Sequence, residues 1–146
     1  MAAAVLAATV LGACTEDALS KEEYIDAADE ACREADEAIG KMGQPRVEEG
    51  VFDYVREARA VSEELVADLR ALDPPADDEE QVDRMIDGLE RATNLLEPLA
   101  RASIDRDTQE LEELQREVEQ VTDEVSEAAE SYGFETCGAK VLDPVR

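Results

Sequence analysis

Apolar residues recur along this chain in steps of four and three, the spacing that gathers them on one face of an α-helix. From Tyr24 the series continues through Ala28, Ala31, Ala35, Ala38 and Met42, and Ile25, Cys32 and Ile39 widen the stripe. Just ahead of it, Ser20-Lys21-Glu22-Glu23 reads as a capping box, in which the Ser20 side chain accepts from the Glu23 amide and the Glu23 carboxylate reaches back to Ser20. Leu19 and Tyr24 occupy the two staple positions around that box, and Gly40, Gly43 and Pro45 end the segment. A first helix is expected over about 21–42, with enough alanine on its inner face for a neighbour to approach closely.

Three more segments repeat the pattern. Val51, Val55, Ala58, Ser62, Leu65, Leu69 and Leu72 form a second stripe, flanked by Tyr54 and Val61. The helix expected over about 47–72 starts at Val47 or Val51 and stops at Asp73-Pro74-Pro75, because proline cannot continue the hydrogen-bond ladder and disfavours a helical residue before it. The third, over about 76–103, carries Val82, Met85, Ile86, Leu89, Ala92, Leu96 and Leu99. Asp77, Asp78, Glu79 and Glu80 fill its first turn, at the positive end of the helix dipole, and Pro98 predicts a kink. The fourth, over about 108–132, opens on the box-like pair Asp107 and Glu110 and carries Leu111, Leu114, Val118, Val121, Val125, Ala128 and Tyr132. Gly133 is a good stop, with Phe134 placed to pack back on the last turn.

Four amphipathic helices with short connections, and no competing β pattern, predict an all-α fold: an antiparallel up-down four-helix bundle over 20–138, followed by a C-terminal tail at 139–146. One long coiled coil is the competing architecture, but the Pro and Gly breaks cut the chain into bundle-length pieces. In the bundle the end of helix four lies beside the start of helix one, which would bring Tyr24, Tyr132 and Phe134 together.

The first residues behave differently. Residues 1–13 are uncharged and almost wholly apolar, too short for a spanning helix of about 20 residues and right for the apolar core of a signal peptide. They end in Leu11-Gly12-Ala13-Cys14, which resembles the bacterial lipobox. The resemblance implies cleavage after Ala13 and a diacylglycerol on the Cys14 thiol, with 14–19 as the lipidated residue and a short tether. The basic leading region usual in signal peptides is missing ahead of the apolar run, so either translation starts further upstream or the export signal is weak. The competing reading is a signal without lipid, or a buried apolar N-terminus with a chance cysteine.

Charge and cysteine count change the picture further. The 39 acidic and 14 basic residues give a formal charge of −25. Nucleic-acid binding, which rests on neutralising phosphates, is excluded in practice, and charge alone would repel the protein from an anionic membrane. A covalent lipid is the consistent means of staying there, and two acyl chains hold stably where one does not. Excess charge also suits a salty medium that screens it. Of the three cysteines, lipidation would use Cys14 and leave Cys32 and Cys137 as an even pair, free to join in an oxidising space. The alternative is two reduced cysteines buried as small hydrophobes. Joined, they would close a loop of about 100 residues, worth up to about 4.7 kcal/mol in the chain-entropy model, and with the aromatic cluster would clamp the two ends of the domain.

The runs Tyr24-Ile25-Asp26-Ala27-Ala28-Asp29-Glu30-Ala31-Cys32 and Tyr132-Gly133-Phe134-Glu135-Thr136-Cys137-Gly138 resemble a loose group of small bacterial lipoproteins with an uncharacterised helical domain, chiefly from high-GC Gram-positive bacteria. That resemblance implies a disulfide-closed helical lipoprotein and carries no catalytic residues.

The chemistry available is narrow. Histidine is absent, which removes His-based triads, haem ligation by His and the usual His-containing zinc and di-iron sites. The glycines are scattered at turns rather than gathered in a phosphate loop. Asp105, Asp107 and Gln109 have the first spacings of a calcium loop, but Glu110 stands where glycine is needed and Arg116 where the closing glutamate belongs. Asp77 to Glu80 offer at most a loose cation site, more simply read as a solvated helix start. No cofactor, no specific metal site and no enzymatic activity are expected. The expected function is that of an extracytoplasmic lipoprotein, anchored to the cell membrane through Cys14, serving as an interaction or structural module for another envelope protein. The alternative is a module that binds a small ligand or divalent cation between helices. An apolar cavity with converging polar groups would favour the alternative, and a filled core with an exposed apolar patch, which Phe52 would mark if it faces solvent, would favour the first.

Overall fold

The structure, a computed structural model, describes residues 19–43 and 50–138. Among them the regular structure is all helical: α1 Lys21–Met42, α2 Val51–Ala71, α3 Glu79–Asp105 and α4 Thr108–Tyr132. Each helix packs on the next in sequence, giving an all-α four-helix bundle.

Local chemistry explains the helix ends. The capping box at α1 is complete: the Glu23 amide donates to Ser20 Oγ at 3.3 Å and the Ser20 amide donates to Glu23 Oε2 at 3.0 Å. This holds the Glu23 carboxyl below its usual range, chiefly through the Ser20 side chain. Leu19 packs against the core and its amide donates to the Asp73 carbonyl at 3.2 Å, so the chain entering α1 is tied to the α2–α3 turn. Asp107 caps α4 by accepting from the Glu110 amide at 3.1 Å. Gly133, at φ 112°, ends α4 in the left-handed region, where its own amide and that of Phe134 both donate to the Ala129 carbonyl.

Boundaries depart from expectation at two helices. Of the two expected starts of α2, Val51 is observed; Val47 lies outside the described residues. The start of α3 is Glu79 rather than 76, because the Asp78 amide closes a turn onto the Pro75 carbonyl at 2.8 Å. Asp78 gives its own helix no side-chain cap; its carboxylate goes elsewhere, as described below. At the other end α3 continues through Pro98 to Asp105, past the expected 103. There Arg106 takes a left-handed conformation at φ 57° and its amide donates to the Ala102 and Ser103 carbonyls, and Arg106 alone links α3 to the α4 cap, Asp107.

The core is unevenly distributed. Tyr24, Leu69, Met85, Ile86, Val82 and Val125 are fully buried, and all belong to the half of the bundle that holds the start of α1 and the end of α4. In the opposite half Ile39, Val55, Leu96, Leu99, Leu114 and Val118 are only half-buried, and Phe52 is 41% exposed. The buried residues of that half are small, such as Ala58, Ala100 and Ala102. α1 packs mainly on α2 and meets α4 at the clamped end, through Tyr24 and Tyr132.

α3 and α4 approach each other closely at Gly88. A Cβ there would collide with Val125 Cγ2, which accounts for a glycine in mid-helix despite a cost of about 1 kcal/mol relative to alanine. The hydroxyls of Ser62 and Thr93, both buried, donate to the Ala58 and Leu89 carbonyls of their own helices.

Candidate functional site

The best-defined constellation lies where the two ends of the domain meet. After Gly133 the chain turns back and fills the seam between α1 and α4. Cys137 is bonded to Cys32 across a Cα–Cα distance of 5.4 Å, joining residues 105 apart in sequence. Asp29, one turn before Cys32 on α1, receives three consecutive amides of this returning segment: Glu135 at 2.8 Å on one oxygen, and Thr136 at 2.8 Å and Cys137 at 2.9 Å on the other. Hydrogen bonds to a charged acceptor are worth roughly 1.5–3 kcal/mol each before competition is counted. Ser126 Oγ donates to the Gly138 carbonyl at 2.7 Å, and a Cβ on Gly138 would collide with Ala129, so the segment lies flat against α4. α4 is regular to Tyr132, so the residues after it alone make the return to Cys32.

An aromatic cluster seals the same end. Tyr24 meets the Tyr132 and Phe134 rings edge-on, each at 6.1 Å between centroids, and Tyr132 stacks on Phe134 at 4.9 Å. Lys21 Nζ sits 4.1 Å above the Tyr132 ring, a cation–π contact. Tyr132 donates its hydroxyl to Asp78 Oδ2 at 3.0 Å, which is where the carboxylate that does not cap α3 goes. Burial first and the Asp78 hydrogen bond second push the Tyr132 hydroxyl well above its usual pKa. The Tyr24 hydroxyl is fully buried with no hydrogen-bond partner among the described residues, and burial pushes it up to about 12.

Away from the clamp, the helices are stapled from outside by arginine. Arg70 of α2 reaches Asp87 and Glu90 of α3, both at 2.8 Å; Arg59 spans α2 to Glu97 at 3.5 Å; Arg91 pairs with Glu124 between α3 and α4. All are partly exposed, so each contributes little singly, at most about 1 kcal/mol. An open groove of about 670 Å³ runs between α3 and α4, lined by Gln81, Arg84, Arg91, Glu124 and Ser131 among others. It is an open surface trough with charged residues along both sides and Gly88 and Ala128 between them.

The residues singled out in the sequence divide as follows. Cys32 and Cys137 are brought together, with Tyr24, Tyr132 and Phe134 around them. Cys14 lies outside the described residues. Asp105 and Asp107 belong to the end of one helix and the cap of the next, and among the described residues no group of three or more Cys, Asp or Glu is disposed to hold a metal ion. Asp29 was missed. It stands inside the run Tyr24–Cys32, but among 39 acidic residues nothing in the sequence distinguishes the one that faces a returning chain.

These features define a disulfide-closed four-helix bundle, clamped at one end and half-open at the other. No protein-family model matches the chain, and neither a curated protein nor a solved structure does so.

Proposed function

We propose that this chain is an extracytoplasmic lipoprotein, held to the cell membrane by a lipid on Cys14, whose bundle serves as a non-enzymatic interaction or structural module. The observation that carries the reading is the Cys32–Cys137 disulfide. Disulfides of this kind persist in oxidising compartments, and this one uses two of the three cysteines, leaving Cys14 in its lipobox-like setting as the odd one. No helix among the described residues is long and apolar enough to cross a membrane, which is consistent with attachment by lipid.

Geometry gives the anchor a consequence. The tether would join the bundle at Leu19 and Ser20, which belong to the clamped end. The 22 residues of α1 then carry the half-open end about 33 Å further, at 1.5 Å per residue. The membrane side is thus the rigid, sealed one, and the partly exposed apolar side chains, with Phe52, are offered away from the anchor, where an envelope partner would meet them. The alternative, a small ligand or divalent cation between helices, has less support, because the trough between α3 and α4 is lined by charges that pair with one another, such as Arg91 and Glu124.

The test is metabolic labelling with a palmitate analogue in a bacterial host, comparing the protein with Cys14→Ala, followed by crosslinking and recovery from intact membranes. Label on the unaltered protein and none on the variant, with one dominant envelope protein recovered, is the expected result. Equal label on both would overturn the anchor. Recovery of no partner, together with thermal stabilisation by Ca²⁺ beyond its ionic strength, would overturn the interaction reading.

A further inference from the structure

We propose that the trough between α3 and α4 is a binding site for a short zwitterionic peptide, whose carboxylate meets Arg84 and whose ammonium meets Glu127; this goes beyond the interaction reading above and does not depend on it. Polar bonds between the two helices bound the trough at both ends. Gln81 Nε2 donates to Ser131 Oγ at 2.8 Å at the clamped end, and Arg91 pairs with Glu124 at the other. Between these bridges the sides are separated by Gly88 and Ala128, which place no long side chain in the space. Asp87, on the α3 side, is already held by Arg70 of α2 at 2.8 Å. Two charges are left over, one on each helix. Arg84 commits only its Nε, which donates to the Glu80 carbonyl at 3.3 Å; among the described residues neither its Nη groups nor the Glu127 carboxylate has a partner.

These two charges set the chemistry of the occupant. The Nη groups of a guanidinium present paired N–H donors that match the two oxygens of a carboxylate. A carboxylate on the facing helix calls for an ammonium, a compact group with three N–H donors. A plain anion would be opposed by the chain's charge of −25. A plain cation would be repelled by Arg84 and would find carboxylates over the rest of the surface. A zwitterion carries no net charge, so it escapes the long-range repulsion and still meets both local charges. Length sets the size. From Gln81 to Arg91 the trough runs about 15 Å at 1.5 Å per residue, and three extended residues span at most about 11 Å. A tripeptide therefore lies between the two bridges without displacing either.

The experiment follows amide NMR shifts of the oxidised, nitrogen-15-labelled chain at matched ionic strength as three probes are added: triglycine, N-acetyl-triglycine and triglycine amide. Triglycine alone is expected to give saturable shifts at Gly88 and Ala128, with half-saturation on the order of 1 mM, the range for an exposed ligand of this size. Arg84→Gln and Glu127→Gln, both on exposed side chains, are each expected to weaken it about fivefold. Arg116→Gln is the control. That arginine also has its Nε on the carbonyl four residues back, but it lies on α4 away from the trough, and its loss is expected to change nothing. Equal response to N-acetyl-triglycine would make the trough a plain anion site, and equal response to triglycine amide would reduce the effect to attraction of cations by an acidic surface. Either of these, an equal loss with Arg116→Gln, or the absence of saturable shifts with triglycine overturns the proposal. Such a failure leaves the interaction reading standing, since palmitate labelling and crosslinking test it without the trough.

Discussion

The Asp29 carboxylate receives the Cys137 amide at 2.9 Å, one helical turn ahead of Cys32, the residue to which Cys137 is bonded. Two unlike interactions, one covalent and one electrostatic, therefore hold the same few residues against α1.

Asp29→Asn keeps the shape but removes the charge and leaves one acceptor oxygen for amides that now use two. A loss of about 1.5–3 kcal/mol in urea unfolding is expected. Cys32→Ser with Cys137→Ser is expected to cost about 2–5 kcal/mol. Because both changes release the same segment, their combination should fall short of the sum by at least about 0.5 kcal/mol. Strict additivity would mean that the two contacts act independently.

Gly88→Ala sets two effects against each other. Helix propensity favours alanine by about 1 kcal/mol, while forcing a methyl into a packed interface typically costs about 1–3 kcal/mol. The clash should win, since Val125 is 2% exposed and β-branched, with no free rotamer to yield. A net loss near 1 kcal/mol is expected, and Val125→Ala should make the Gly88→Ala change neutral or favourable. A rise in Tm for Gly88→Ala alone would contradict the close approach of α3 and α4.

Tyr24 gives a pH signature. Burial first, and the charge of Asp83 second, raise its hydroxyl from 10.0 to about 12 in the folded chain. Between those values the unfolded chain has lost the proton and the native chain retains it, so the Tyr24 contribution to stability is fully present below pH 10 and is lost as pH rises towards 12, over a range in which Tyr132, also raised, adds its own fall. Tyr24→Phe should flatten that fall in alkaline unfolding followed by circular dichroism. At neutral pH the same change also removes an unpaired buried hydroxyl and should stabilise by up to about 1 kcal/mol. Destabilisation by Tyr24→Phe would show that the hydroxyl has a partner.

With a charge of −25, the folded chain repels itself. Raising NaCl from about 0.01 M to 1 M shortens the Debye length from about 30 Å to about 3 Å and should raise Tm. The exposed arginine pairs weaken over the same range, but they are few and individually small. A fall in Tm would mean that these staples outweigh the repulsion. CaCl₂ at matched ionic strength should add nothing specific, a comparison read directly from the two melting curves.

How much of this was legible beforehand follows from the range of each interaction. The extent of α1 and α4 could be read because their caps are local: Ser20 with Glu23, and Asp107 with Glu110, are partners three residues apart, and Gly133 ends α4 through its own backbone freedom. The number of helices followed from apolar periodicity and from the Pro and Gly breaks. The pairing of Cys32 with Cys137 was reachable by counting cysteines, though the count left two reduced, buried thiols as an alternative. The start of α3 was not, since Asp77 and Asp78 read as first-turn carboxylates, whereas the Asp78 amide closes a turn onto Pro75 and its carboxylate accepts from Tyr132, a residue 54 positions away.

By itself, then, the sequence determined the helices, their order, the composition of their inner faces and the charge that any partner has to complement, because each depends on residues close in the chain or on composition alone. Only the tertiary structure decided that Asp29 is the carboxylate that organises the clamp. It also decided that the stripe from Leu111 to Tyr132 is buried at one end and half-exposed at the other. The physical reason is the same in both cases. A periodic stripe states which side of a helix faces inward but not what stands opposite it: the segment that meets Asp29 lies more than 100 residues further along the chain, and the stripe of α4 is covered by residues of α1 and α3.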